Sequence, residues 1–159
     1  MVASLVNNKH LLWRAGFGPR IEQIDELKNK NIKTILQEMF REESFSPITY
    51  QTPDLEPLEY NDPKENAEQK RKLLKLHQQQ NNELNFRFLE KLARSNEQLR
   101  EKMGFFWHGH FATRINNPKF NKQLLNTLRE KSLGNFRDLL FEVSRSPSML
   151  QFLNNQQNK

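Results

Sequence analysis

Apolar residues recur along the chain at steps of three and four, and no segment of useful length alternates with period two. The pattern predicts helix nearly throughout and no strand. Ser4 is placed to cap a first helix ending about Ala15, where Gly16 offers a left-handed stop; Gly18-Pro19 then restarts a helix with Ile21, Ile24 and Leu27 on one side. A helix over about 32–42 sets Ile32, Ile35, Leu36, Met39 and Phe40 at the spacing of a buried stripe. Pro63 opens a long helix reaching about Arg94. Its first half is polar apart from Leu73, Leu74 and Leu76, and its second carries the stripe Leu84, Phe88 and Leu92, so one end is expected to project beyond the core. Ser95 or Asn96 is positioned to cap the following helix, with Leu99, Met103 and Phe106 facing inward. Phe120, Leu124, Leu125 and Leu128 mark a helix from Pro118 to about Ser132, stopped by Gly134. Asn135 caps the next, in which Phe136, Leu139, Leu140 and Val143 follow the i, i+3, i+4, i+7 rule, and Ser146-Pro147 starts a last one with Met149, Leu150 and Leu153. The polar tail from Asn154 to Lys159 holds no helix stop and reads as a chain cut rather than finished.

Residues 44–66 break the helical pattern with Pro47, Pro53, Pro57, Pro63 and five acids. They read as a loop or arm, long enough to need a purpose: wrapping over the surface, or packing on a part of the protein outside this chain. The expected architecture is all-α, an irregular bundle of about seven helices with one long Pro-rich acidic loop and one long, partly projecting helix, forming a single domain over residues 1–159.

Composition narrows the chemistry. Zero cysteines remove disulfides, thiolate metal sites and a Cys nucleophile, and the five glycines form no phosphate-cradling loop. No apolar run is long enough for a membrane helix, and residues 1–15 lack the features of a signal peptide, so a soluble chain is expected. The net charge of +6 is only modestly polarised: +1 over residues 1–43, −4 over 44–66, +4 over 67–103 and +5 over 104–159. Lys70-Arg71-Lys72 and Lys75 form the tightest basic cluster, but they sit among Glu65, Glu68 and a Gln/Asn-rich stretch and read as the solvated face of a helix. Nucleic acid is therefore not the partner this pattern favours.

His108 and His110 are the closest pair of groups able to bind a metal or move a proton. Residues two apart point about 200° away from each other on a continuous helix, so both rings can grip one ion only if the helix ends between them. Gly109 permits such an end. The pair could then hold Zn²⁺ or another divalent transition metal, given a third ligand; His10 is one candidate, since no acid lies between Glu101 and Glu130. The plainer reading sets His108 against Trp107 in the core, donating to a backbone carbonyl, with His110 a partly exposed neighbour. In the stretch from His10 to Pro19, the plain reading is a tight turn between helices: Gly16 and Gly18 make the turn, Phe17 plugs the core, and Arg14 answers a helix C-terminus or a carboxylate. A ligand-binding role for His10 and Arg14 is the alternative.

Three blocks, His10 to Pro19, Arg100 to Thr113 and Leu133 to Asn158, occur in an order that resembles the large bacterial family known as domain of unknown function 1800. The resemblance covers about half the chain and is carried most distinctively by Trp107-His108-Gly109-His110-Phe111. It implies a longer protein whose acidic motif would follow the last block, so that this chain is its N-terminal fragment and the remainder is its first partner. It also implies frequent export, and it draws attention to His10, Arg14, Gly16, Gly18, Trp107, His108, His110, Phe111, Asn135, Arg137 and Asn158. Asn154 stands where many relatives carry Asp. The resemblance supplies no reaction. Two functions follow as expectations: a metal-dependent or hydrolase-like site in which His108 and His110 are completed by acids from the C-terminal part, or a non-catalytic helical module that binds a protein partner.

Overall fold

Eight α-helices and one short 3-10 turn make up the regular structure among the described residues of a computed structural model, which describes residues 2–40, 45–50 and 63–155. In chain order they are α1 (Val2–Ala15), the 3-10 turn Ile21–Gln23, α2 (Ile24–Asn29), α3 (Ile32–Met39), α4 (Pro63–Arg94), α5 (Gln98–His110), α6 (Pro118–Glu130), α7 (Phe136–Ser144) and α8 (Pro147–Phe152). No strand occurs among the described residues, and no helix among them is long and apolar enough to cross a membrane.

Helix starts fall where side chains can satisfy the first free N–H groups. Asn117 accepts from the N–H groups of Lys119 and Phe120, Asn135 from that of Arg137 at 2.8 Å, and Ser146 Oγ from that of Met149. Asn31 caps α3 the same way, through Lys33 at 2.9 Å. Ser4, by contrast, lies inside α1, and α5 is led by Glu97 rather than Ser95 or Asn96; Ser95 Oγ instead accepts the Glu97 N–H one step earlier.

Helix ends depart further from expectation. Gly18, not Gly16, takes the left-handed backbone, with φ 98°, beneath the ring of Trp13. Gly16 is needed for close approach: a Cβ there would stand 2.9 Å from Cβ of Gln98. Helix α6 stops at Glu130, closed by Lys131 bonding back to Thr127, before Gly134 is reached. A stop does exist at the end of α8, where Asn154 adopts φ 55°, the left-handed conformation Asn tolerates better than most residues.

Helix α6 is the centre of the packing. Its Leu125 meets Leu84 and Phe88 of α4 together with Ile48, while Leu124 and Leu128 meet Leu139 and Val143 of α7. Ile48 belongs to the extended segment 45–50, at the start of the expected loop, and is held as a strap over the core: the Asn126 amide accepts from its N–H at 2.8 Å and donates to its carbonyl at 3.0 Å. The rest of that loop lies outside the described residues. The expected inward face of α5 is also revised. Phe106 is more than half exposed, and the buried positions are Glu101 and Gly104. Gly104 lets the stem of Arg129 lie against α5, where an added Cβ would come within 2.9 Å of Arg129 Cγ, and the guanidinium then forms a bidentate pair with Glu101 at 2.6 and 2.8 Å. Both residues are fully buried.

On α3 only Ile35 is buried; Ile32, Leu36 and Phe40 are exposed. That helix and α2 lean on α1, where buried Asn8 donates to the carbonyls of Leu27 and Lys30 at 2.9 and 2.8 Å.

Candidate functional site

Helix α5 runs without a break through Gly109 to His110, and Gly109 does not take a left-handed backbone. The structure therefore does not gather the two histidines: with 100° per residue they leave α5 on opposite sides. His110 joins an aromatic group, 6.3 Å from the Phe106 ring, 5.8 Å from Trp107 and 5.0 Å from Phe111. Trp107 also stacks on Phe136 of α7 at 5.5 Å and donates Nε1–H to the carbonyl of Ser132 at 3.3 Å. The histidine beside Trp107 is thus His110. His108 turns away from that tryptophan, rather than lying against it in the core.

His108 instead looks into a cleft of about 310 Å³ between α4, α5 and α6. The floor is apolar, made by Leu84, Phe88, Leu124 and Leu125, and the rim is polar, with Asn81, Asn85, Thr113, Arg114 and Asn121. One side of the imidazole rests on Phe88, ring centroids 6.0 Å apart, while the other stays open to solvent. Burial of the covered side pushes its pKa below the ordinary histidine value, because the imidazolium loses more hydration there than the neutral ring. The lowered pKa favours the neutral imidazole, in which one ring nitrogen can accept a proton.

The connection from α5 to α6 forms the far rim, and two amides fix it. Asn121 donates to the Ile115 carbonyl at 3.1 Å and to Asn81 Oδ1 at 3.0 Å; Asn81 donates in turn to the Asn116 carbonyl at 3.1 Å. Arg114 directly precedes these clamped positions. An apolar floor with a few convergent polar groups is the usual make-up of a small-molecule site.

The other sequence candidates lie elsewhere. His10 and Arg14 are exposed on α1, and Asn158 lies outside the described residues. Helix C-termini are answered not by Arg14 but by Lys102, whose Nζ donates to the carbonyls of Trp13 and Gly16 at 2.8 and 2.7 Å, and by Arg20, which donates to the carbonyls of Arg94 and Ser95 at the end of α4. No group of three or more His, Asp or Glu side chains able to hold a metal ion occurs among the described residues, so His10 does not complete a site with His108 and His110. Sequence reasoning missed Asn81, Arg114 and Asn121 at the cleft. A signal was present for Arg114 alone: it sits mid-way in the acid-free stretch between Glu101 and Glu130, with no acid near it in sequence.

The model of the family described as Protein of unknown function (DUF1800) matches residues 10–159, and the chain belongs to that family. No curated protein and no solved structure matches the chain.

Proposed function

We propose that this member of the family binds a small substrate in the cleft between α4, α5 and α6 and that His108 acts there as a general base in hydrolytic chemistry. The observation that carries the reading is the setting of His108: an imidazole of lowered pKa over an apolar floor, facing polar groups on a clamped rim. A base needs its ring nitrogen unprotonated at working pH, and the lowered pKa supplies that. The carboxylate that commonly orients such an imidazole, or the further donors that a metal-dependent version would need beside His108, would come from outside the described residues. In this reading His110 serves the aromatic packing of α5 on α7 and not the chemistry.

The test is hydrolysis of 4-nitrophenyl acetate by the wild-type chain beside His108→Gln, with His10→Gln and His110→Gln as controls. We expect only His108→Gln to lose the rate, and the wild-type rate to fall on acidification. The sign follows from the mechanism: protonation removes the base, and because the pKa is lowered the fall is centred below the ordinary histidine value near 6.5. Equal rates in wild type and His108→Gln would remove the assignment.

A binding module is the second reading, favoured by the aromatic group around Trp107, in which Phe106 and Phe136 are each more than half exposed. It requires no turnover and places the function on the α5/α7 face.

A further inference from the structure

The His108 cleft does not end at Arg114. A second hollow of about 490 Å³ opens on the other side of the same connection, lined by His77 of α4, Asn116, Asn117, and Gln151, Phe152 and Asn154 at the end of α8. Arg114 and Ile115 line both. The two hollows thus adjoin along one wall, with an apolar floor at the His108 end and a polar one at the His77 end.

Among the described residues, the lining of this trough is basic. Among the described residues neither lining contains an Asp or a Glu, whereas both contain Arg114 and each adds a histidine. The ion pairs among the described residues take up Lys28, Lys30, Lys72, Arg87, Arg94, Arg100, Arg129 and Lys131, and none of them includes Arg114. Nor does the guanidinium sit on a loose loop. The carbonyls of the two residues after it are bonded to Asn121 and Asn81, so its backbone is held before any ligand arrives. A pre-positioned Arg with no carboxylate beside it recognises planar or tetrahedral oxyanions through paired N–H donors.

We propose that this trough is a binding site for a small organic anion: a phosphate, sulfate or carboxylate group held by Arg114 at the His77 end, with the apolar body of the ligand over Leu84, Phe88, Leu124 and Leu125 beside His108. The inference rests on the cleft described above and adds the class of ligand. It assigns Arg114 as the residue that selects charge. Asn81 and Asn121 are positioning residues acting through the connection they clamp.

Phenyl phosphate is a suitable probe, with phenol and inorganic phosphate as its two halves, titrated into the full chain at low ionic strength and followed by amide chemical shifts and calorimetry. Phenyl phosphate should bind more tightly than either half and shift the amides of residues 113–117 together with those of Leu84 and Phe88. Arg114→Gln should weaken phenyl phosphate about tenfold or more, the usual effect of losing hydrogen bonds to a charged group, and leave phenol unchanged. Arg114→Lys should recover part of the loss, which a change of fold would not. Equal affinity of wild type and Arg114→Gln would overturn the proposal, as would shifts confined to Lys70–Lys75, or no binding of phenyl phosphate at all. Failure of the His108 reading looks different: phenyl phosphate still binds through Arg114, while the ester is hydrolysed equally by wild type and His108→Gln.

Discussion

At the scale of single residues, the fully buried ion pair of Glu101 and Arg129 is the interaction least visible in the sequence. Glu101 sits in Arg100-Glu101-Lys102, a run that resembles any solvated helix face, yet its carboxylate is fully buried against Arg129. What decides its fate is Gly104 one turn later and a residue 28 positions away, and neither is a local property. A buried, bidentate pair stands or falls as a unit, since removing one partner strands the other charge in a medium that solvates it poorly. Glu101→Gln should therefore lower stability by about 3–5 kcal/mol, measured by urea unfolding. Replacing both residues together with Met should cost clearly less than the sum of the single changes. Additive losses would mean the two side chains are not coupled as the geometry requires. Arg129 has a further duty, because its guanidinium also donates to the Ser46 carbonyl at 3.2 Å and lies 5.3 Å from the Phe45 ring, so its loss should loosen the strap as well.

At the scale of elements, what the sequence made legible and what it hid divide between helix starts and helix ends. Asn117-Pro118, Asn135 and Ser146-Pro147 carry their capping chemistry within three residues, and the helices begin there. Ends depend on what the chain meets next. Gly16 is small because Gln98 lies over it, and Gly134 comes after a helix already closed by Lys131. The acidic, Pro-rich character of 44–66 likewise gave no sign that Ile48 would be buried against Leu84, Phe88 and Leu125. The strap depends on Asn126, which offers a backbone-like donor and acceptor to a segment with no strand partner. Asn126→Ala should cost about 1–3 kcal/mol, since it unpairs an N–H and a carbonyl in a half-buried place, and it should make the Ile48 amide exchange with solvent far faster than the amides of α6. Retained protection of that amide would show that the strap holds without the asparagine.

At the scale of the whole molecule, the candidate site was legible in its parts and not in its assembly. His108 stood out from its motif, but the partner that motif suggested, His110, is turned away by an unbroken helix; its actual neighbours come from α4 and from the connection after α5. Such juxtapositions are set by how α6 packs between α4 and α7, which no spacing along the chain encodes. The same packing leaves a face with too much apolar surface. Phe106, Trp107, His110, Phe111 and Phe136 form one aromatic group of stacked and edge-to-face contacts across α5 and α7, with Phe106 and Phe136 exposed, and Leu140 and Phe141 of α7 are exposed too. A chain with net charge +6 repels its own copies, which opposes association but acts over only about 10 Å at ordinary salt. Raising salt screens the repulsion and leaves the aromatic contact intact. Sedimentation of the wild-type chain should therefore show association that grows with both protein and salt concentration. Phe106→Ser/Phe136→Ser should suppress it without a large loss of stability, because neither ring fills the core. Association that salt weakens would instead assign the contact to charge, and association untouched by the double change would place it away from the α5/α7 face.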